Sequence, residues 1–434
     1  MSGIDQAGNV LANRDLRRFL TGYAATMLGT TMTPVALTFA VLDRGGDAGD
    51  VGLVLTAESV PLVLLLLAGG VISDRLPRRW VMVVADVVRA CTQALLAVLL
   101  ITGEPPLGVL MAAAAVLGAG QAFEGPALTA LMPEITPAHQ LQQANALRGI
   151  AESLGRGLGP AIGGVVVAVA GAGWAVGLDA VTYAVSALCL AGLHIAHEPR
   201  GSASEASFLG ELREGWEAFR SRTWLWVIVA QWSLLCLLVF PAYMVLGAVV
   251  ADDELGGARA WGLILAGEGF GAVVGGLAML RLRFHRPLAA GVIGSMAFAL
   301  PLIALATTPT GMPVAVVAAA SVVTGLGVSV FATTWDTTMQ RHVEPEALSR
   351  VSSYDWFGTV GTLPIGYALV GPISGVLGID GALWLAVGAW ITASLVALAV
   401  PSVRHLTDDP DELTDDPGDD PTGPSAHPSP LAIG

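Results

Sequence analysis

The residues of this 434-residue chain that could do chemistry are carboxylates and arginines set inside long apolar runs. Glu58, Glu124, Glu152, Arg156, Asp179 and Glu268 each fall in a stretch where a charge costs several kcal/mol unless it is paired or faces water. Burial disfavours the ionised form of a carboxylate, so an acid facing an internal cavity could bind and release protons near neutral pH. Glu58, Glu124 and Asp179 are the candidates for such proton coupling, with Glu58 about seven residues, or roughly 10 Å, from the nearer end of its run. Glu152 and Arg156 are spaced i, i+4 and pair on one helical face, which gives both a structural role. No nucleophile triad, Walker loop or paired Asp/Glu constellation accompanies these groups, so an enzyme or an ATP-driven pump has no chemistry to rest on. Cys91, Cys189 and Cys236 are too few and too scattered for a metal cluster, and the histidines lack ligand spacing. Neither a metal nor a cofactor is expected.

The elements that position these groups are apolar helices. Hydrophobic residues make up 54% of the chain and charged ones only 13%, against roughly a quarter charged in ordinary globular proteins. Runs of about 20 apolar residues, each long enough for a hydrocarbon core of about 30 Å, recur near 16–42, 51–73, 80–102, 107–131, 145–170 and 174–195. Six more lie near 223–250, 258–280, 288–307, 313–338, 350–378 and 381–402. The fold class expected is therefore an all-α integral membrane protein of twelve transmembrane helices, with the lipid bilayer as its solvent. The formal charge of −14 is largely a tail effect, because eight of the 35 carboxylates lie between Asp408 and Asp420. No basic patch suits a phosphate backbone, so nucleic acid is not a partner.

Arginine bias sets orientation. Arg14, Arg17 and Arg18, then Arg75, Arg78 and Arg79, then Arg281, Arg283 and Arg286, then Arg341 and Arg350 fall in alternate connections. Those connections and both termini are expected on the cytoplasmic side of the inner, cytoplasmic membrane, with the first helix retained rather than cleaved. Residues 197–222 interrupt the apolar pattern, and Phe208, Leu212, Trp216 and Phe219 form one helical stripe there. This reads as an amphipathic linker on the cytoplasmic surface between a six-helix bundle at 1–196 and another at 223–404, with a disordered acidic tail at 405–434.

The two bundles resemble each other at a fixed spacing. Met132, Leu141, Gly159 and Gly164 match Met339, Leu348, Gly366 and Gly371 at an offset of 207, and Gly69-Gly70 with Arg75 match Gly275-Gly276 with Arg281 at 206. Duplication accounts for this, and two six-helix halves related by an axis along the membrane normal place a cavity between them.

Two motifs stand on these helices. The loop GGVISDRLPRR, Gly69 to Arg79, carries Gly70, Asp74, Arg75, Arg78 and Arg79: a small residue where helices approach, and a carboxylate among arginines that makes a breakable ion cluster. Asp86 and Arg89, one turn apart, extend that cluster, and Asp336 and Asp355 are its counterpart in the second half. The run GRGLGPAIGG places Gly155, Gly159, Pro160, Gly163 and Gly164 on one helix, where they permit close packing and a bend. The loop resembles the G-x-x-x-D-R-x-x-R-R signature of the major facilitator superfamily. The second run fits that superfamily's antiporter motif, G-x-x-x-G-P-x-x-G-G, at every fixed position. PALTALMPEITPAHQLQQANALRG and MQRHVEPEALSRVSSYD are similar to the drug-exporter branch that includes macrolide and enterobactin-type exporters. The resemblance covers all twelve helices and omits the tail. It departs in one place: drug antiporters commonly carry an arginine in helix 4, and Leu107–Leu131 has none.

What the resemblance implies is a cytoplasmic gate that latches helices 2, 3 and 11, and proton-coupled export of small amphipathic compounds by alternating access, with a monomer as the default state. Phe123, Trp232, Tyr243, Phe270 and Trp335 are the candidate substrate-cavity residues. The alternatives are export of a siderophore or another secondary metabolite, and a membrane sensor that keeps the transporter fold without transport.

Overall fold

A 20-residue apolar segment in lipid has no water to satisfy its peptide groups, so it closes its hydrogen bonds within a helix. The computed structural model describes residues 12–75, 77–137, 140–194, 216–217, 219–279, 281–308, 311–343 and 345–407, and among them every regular element is helical. The first six helices are α1 (Arg14–Leu42), α2 (Ala48–Arg75), α3 (Arg78–Thr102), α4 (Leu107–Ile135), α5 (Leu141–Ala170) and α6 (Ala172–Ala191). After a break come α7 (Thr223–Leu255), α8 (Ala258–Met279), α9 (Pro287–Ala306), α10 (Val314–His342), α11 (Pro345–Val360) and α12 (Leu363–Ala399). The start of α1 is fixed by Asn13, whose side chain accepts from the Asp15 and Leu16 amides.

Among the described residues, eleven continuous runs are long and apolar enough to cross a membrane, one of them spanning two of the twelve expected helices. That run is the last, Tyr354–Ala399, which is 46 residues long and takes in both of the last two expected helices. Between them the expected break shrinks to one residue, Gly378, at φ 72° and ψ 169°. A straight helix of that length would span about 69 Å, twice a hydrocarbon core, so the glycine divides it into two segments.

Helices before the break pair as α1 with α5 and α6, α2 with α4, and α3 with α4 and α6. The later ones pair as α8 with α10, α9 with α10 and α12, and α7 with α12. Lipid supplies no hydrophobic force between helices, so close contact depends on small residues. Gly118 of α4 lies against the backbone of Glu58 in α2, and Gly325 of α10 lies against the backbone of Glu268 in α8; a Cβ at either would overlap the carbonyl oxygen it faces. Gly159 rests on Leu28 and Thr31 of α1, while Gly366 rests on Cys236, Leu237 and Pro241 of α7. Both glycine pairs are 207 residues apart, the offset of the sequence repeat.

The amphipathic segment at 197–222 falls mostly outside the described residues, as do its Phe208 and Leu212, the tail from 408 and His139. Of its stripe, Trp216 stacks on Phe219 at 5.6 Å and leans on Tyr354 of α11 at 5.5 Å.

Gly378 gives a direct test of the break. Gly378→Ala forces a Cβ into the left-handed region and is expected to destabilise by about 1–2 kcal/mol, lowering the apparent melting temperature in detergent. Gly375→Ala, at a helical and exposed glycine with nothing within 4 Å, is expected to leave it unchanged or raise it.

Candidate functional site

Helices from both parts of the chain enclose a cavity of about 530 Å³. α1 contributes Thr30, Thr31, Pro34 and Thr38; α2 contributes Leu55, Glu58, Ser59 and Leu62; α4 and α5 add Gln121, Arg156 and Pro160. From the later helices come Phe240 and Met244, then Trp261, Leu265, Glu268, Gly269 and Ala272, then Gly325 and Val328, then Leu363 and Tyr367. The wall is mainly apolar and aromatic, with three charged side chains: Glu58, Glu268 and Arg156. The two carboxylates come one from each half, each backed by the glycine that lets its helix approach the next. α7 reaches the cavity through π-helical turns, Leu235–Val239 and Ala242–Leu246, on either side of Phe240-Pro241. Such turns often re-aim side chains at functional sites. Behind the wall the Tyr243 hydroxyl lies 3.2 Å from Ser321 Oγ and interacts with Glu268.

The antiporter motif faces two ways. Gly155, Gly159 and Gly163 lie against Met27, Thr31 and Met32 of α1, and the Thr31 hydroxyl donates to the Gly155 carbonyl at 2.8 Å. Gly164 faces α8, where a Cβ would overlap the Ala258 carbonyl, and Gly262 of α8 packs on the Pro160 carbonyl. Pro160 leaves the Arg156 carbonyl without its helical donor, and that carbonyl lies against Gly269 of α8. A matching seam joins the other pair of helices, where Gly371 of α12 lies on Gly49 of α2 and Gly52 of α2 lies on the Tyr367 carbonyl. Both seams run from mid-helix to the face remote from Asn13, so the two halves are zipped on that face. Asp43, just beyond α1 on the same face, has its carboxyl held above the usual range by burial and then by Asp252 of the other half.

Away from the cavity, α3, α4, α6 and α1 share a buried charged cluster. Arg89, 1% exposed, donates to Asp86 Oδ1 and Glu124 Oε2, both at 2.8 Å, and its guanidinium lies 4.5 Å from the Tyr183 ring centroid. Asp179, fully buried, accepts from Thr33 and Gln93 at 2.6 Å and from Thr182 at 3.1 Å.

These positions sort the residues singled out in the sequence. Of the proton candidates, Glu58 lines the cavity, whereas Glu124 and Asp179 belong to the buried cluster. Asp86 and Arg89 pair with each other, and Arg89 turns inward to Glu124, into space that Gly120 leaves open. Within that loop the side chains of Gly70, Asp74 and Arg75 are outside the described residues. Arg78 pairs with Glu134 at 3.0 Å, and Arg79 donates to the Ala191 and Leu193 carbonyls at the end of α6, so these contacts stay within the first six helices. Glu152 and Arg156 pair as expected, although Arg156 also lines the cavity and its side chain is 68% exposed.

None of the five aromatic candidates is on the cavity wall. Phe270 points outward at 62% exposure, Trp232 packs on Phe331 and Trp390, Tyr243 sits behind Trp261, Trp335 donates to Asp355, and Phe123 is half-buried on α4. Hydropathy ranks aromatic residues by type and not by helix face; the rings that line the wall are Phe240, Trp261 and Tyr367. Sequence reasoning also passed over Glu268 as a partner of Glu58. The acids are 210 residues apart and the repeat offset of 207 aligns Glu58 with Leu265, so the repeat by itself does not single out Glu268.

The family model described as transmembrane secretion effector matches residues 11–417. A multidrug efflux pump, Tap, of Mycolicibacterium fortuitum is 24% identical over 393 residues, covering 87% of this chain and 93% of that protein. Macrolide efflux protein A of Streptococcus pyogenes is 22% identical over 221 residues, covering 51% of this chain and 55% of its own length. Among solved structures, a POT family transporter in complex with 5-aminolevulinic acid superposes with a TM-score of 0.71 at 13% identity, covering 91% of this chain and 97% of its own. The nucleoside transporter NupG superposes at 0.66 and 14%, covering 89% and 98%. At these identities the two structures establish the fold.

The α5–α8 seam yields a labelling test. In a background with Cys91, Cys189 and Cys236 replaced by serine, Ser59→Cys is expected to react slowly with a membrane-impermeant maleimide applied from the zipped face. Adding Gly164→Leu, which wedges Ala258 away, is expected to raise that rate at least several-fold; an unchanged rate means the seam does not close the cavity.

Proposed function

The chain belongs to the transmembrane secretion effector family of the major facilitator superfamily, and on that footing we propose that it is a proton-coupled exporter of small amphipathic compounds, drugs or antibiotics among them. The observation that carries this reading is the cavity with one carboxylate from each half on its wall. An apolar and aromatic wall accommodates a hydrophobic cargo of varied shape. Glu58 and Glu268 give it a negative pole that suits a cationic group, and Phe240, Trp261 and Tyr367 suit it further through their ring faces.

Alternating access follows from the two kinds of contact. Helices 1–196 and 223–404 act as bodies joined by the 197–222 linker, with both termini and the Asp74 loop in the cytoplasm. The glycine seams are flat backbone contacts that can part and re-form without remodelling side chains, and Pro160 supplies the bend. With the remote face zipped, cargo enters from the cytoplasmic side or the inner leaflet. Proton binding to buried carboxylates biases the exchange between states, because a ligand shifts an equilibrium only by its differential affinity. The tight match of the antiporter motif to the α1 and α8 contacts supports export over import.

A compound panel tests this. Overexpression is expected to raise resistance to at least one amphipathic antibiotic several-fold and to lower its cellular accumulation, with deletion doing the reverse. Glu58→Gln and Glu268→Gln, at wild-type membrane levels, are each expected to remove most of that effect. Equal accumulation of every compound in deletion and overexpressing cells contradicts export.

A further inference from the structure

Among the described residues, the charged cluster behind the cavity has no counterpart in the second half. At the repeat offset of 207, Asp86, Arg89, Gln93, Glu124 and Asp179 correspond to Ile293, Met296, Leu300, Phe331 and Ala386. The second half packs its equivalent helices with apolar side chains, so this fold does not need the charges to form. Buried ion networks are seldom more stabilising than the apolar packing that could replace them. Their presence in one half only therefore calls for a function.

Charge counting says which. Three carboxylates share one arginine, and Arg89 is already committed to Asp86 and Glu124. With all groups ionised the cluster holds two negative charges in excess in a low-dielectric interior, which bound protons would offset. Asp179 is the carboxyl without an ion-pair partner among the described residues, and it is held by neutral donors alone: Thr33, Gln93 and Thr182. Gln93 adds an independent sign. It is fully buried, its amide nitrogen donates to Asp179 Oδ2 at 2.6 Å, and its carbonyl oxygen has no partner among the described residues. An amide in that position serves both states of a carboxyl: its nitrogen donates to the carboxylate and, after a flip, its oxygen accepts from the carboxylic acid. Gly29 leaves the room that Asp179 and Thr182 occupy.

We propose that Asp179, with Gln93 and the Asp86–Arg89–Glu124 triad, forms a proton-binding site of the first half that is separate from the cargo cavity. The route to the cavity is one helical turn away on both helices, where Thr30 Oγ1 of α1, a wall residue, lies 3.0 Å from the Tyr183 hydroxyl of α6. In the exchange step the Asp179 O–H breaks, the proton leaves toward cavity water past that hydroxyl pair, and the carboxylate is retained by its three donors. The titratable and charged groups facing Asp179 are Arg89 from α3, Glu58 from α2 and Tyr183 of its own helix, with Asp86 of α3 and Glu124 of α4 on the far side of Arg89 as its ion-pair partners. α1 presents only hydroxyls, and the α5 charges Arg148, Glu152 and Arg156 form pairs of their own. The site deepens the proton-coupling reading above by putting proton and cargo in different places, so that cavity acids recognise and cluster acids couple.

The test uses full-length protein in detergent and no cargo, so it succeeds or fails independently of the compound panel. Potentiometric titration over the neutral range is compared for wild type, Asp179→Asn, Gln93→Leu and Glu58→Gln, with melting curves to verify folding. Asp179→Asn is expected to take up about one proton fewer per molecule than wild type. Gln93→Leu is expected to keep that step but displace it along the pH axis, and Glu58→Gln to keep it at a lower pH, because a neighbouring carboxylate is gone. Superimposed wild-type and Asp179→Asn curves overturn the proposal, since a permanently charged Asp179 fixed by three donors has only a structural role. Should Asp179→Asn not fold, an unshifted curve for Gln93→Leu overturns it instead.

Discussion

The structure depends on backbone meeting backbone between helices. In lipid there is no hydrophobic gain in bringing two apolar helices together, so association rests on contact and on peptide groups that already have partners. Gly118 and Gly325 let α2 and α8 approach α4 and α10, and Gly159 and Gly366 let α5 and α12 approach α1 and α7. Gly164, Gly262, Gly49 and Gly371 do the same across the two halves. The first set builds each bundle, and the second holds the bundles together on one face. Because the two sets use the same chemistry at repeat-related positions, a single packing rule gives both a rigid half and a separable interface.

On this near-symmetric scaffold the charges are distributed unequally. The cavity takes one acid from each half, Glu58 and Glu268, with Arg156 the one cation among the described residues of its wall. The interior of the first half breaks the symmetry, with an arginine, three carboxylates and a glutamine where the second half is apolar. One acid in each half suits a cargo that must be held whichever half has moved. An asymmetric cluster suits an event that need happen in only one half to bias both.

Much of the fold was legible in the sequence. A 20-residue apolar run admits one structure in lipid, so helix positions followed from length, and the 207-residue repeat announced which helices would pair alike. The last boundary, expected between 378 and 381, falls at Gly378, where a single residue at positive φ turns the chain. The antiporter motif was read as small residues for close packing, which is what Gly155, Gly159 and Gly164 provide, but its two partners, α1 and α8, could not be named without the bundle. Site residues were harder. Spacing identified Glu58 as a buried acid, and nothing in it separated a wall residue such as Glu58 from a cluster member such as Asp179. The aromatic candidates missed the wall because apolar character is uniform around a membrane helix, so the face that turns inward is set by neighbours rather than by composition. Asp86 and Arg89 are near the loop in sequence, while Gly120, which admits Arg89 to the interior, is on another helix.

The central claim is that the cavity between the halves moves amphipathic cargo against a gradient at the expense of a proton gradient. Its most direct test is uphill movement in proteoliposomes of a compound to which overexpression confers resistance, with an imposed pH difference as the only energy source. The account predicts accumulation that is driven by the pH difference, collapses when an ionophore dissipates it, and is absent in liposomes without protein. Movement that merely equilibrates the compound, at the same rate with and without the pH difference, contradicts it.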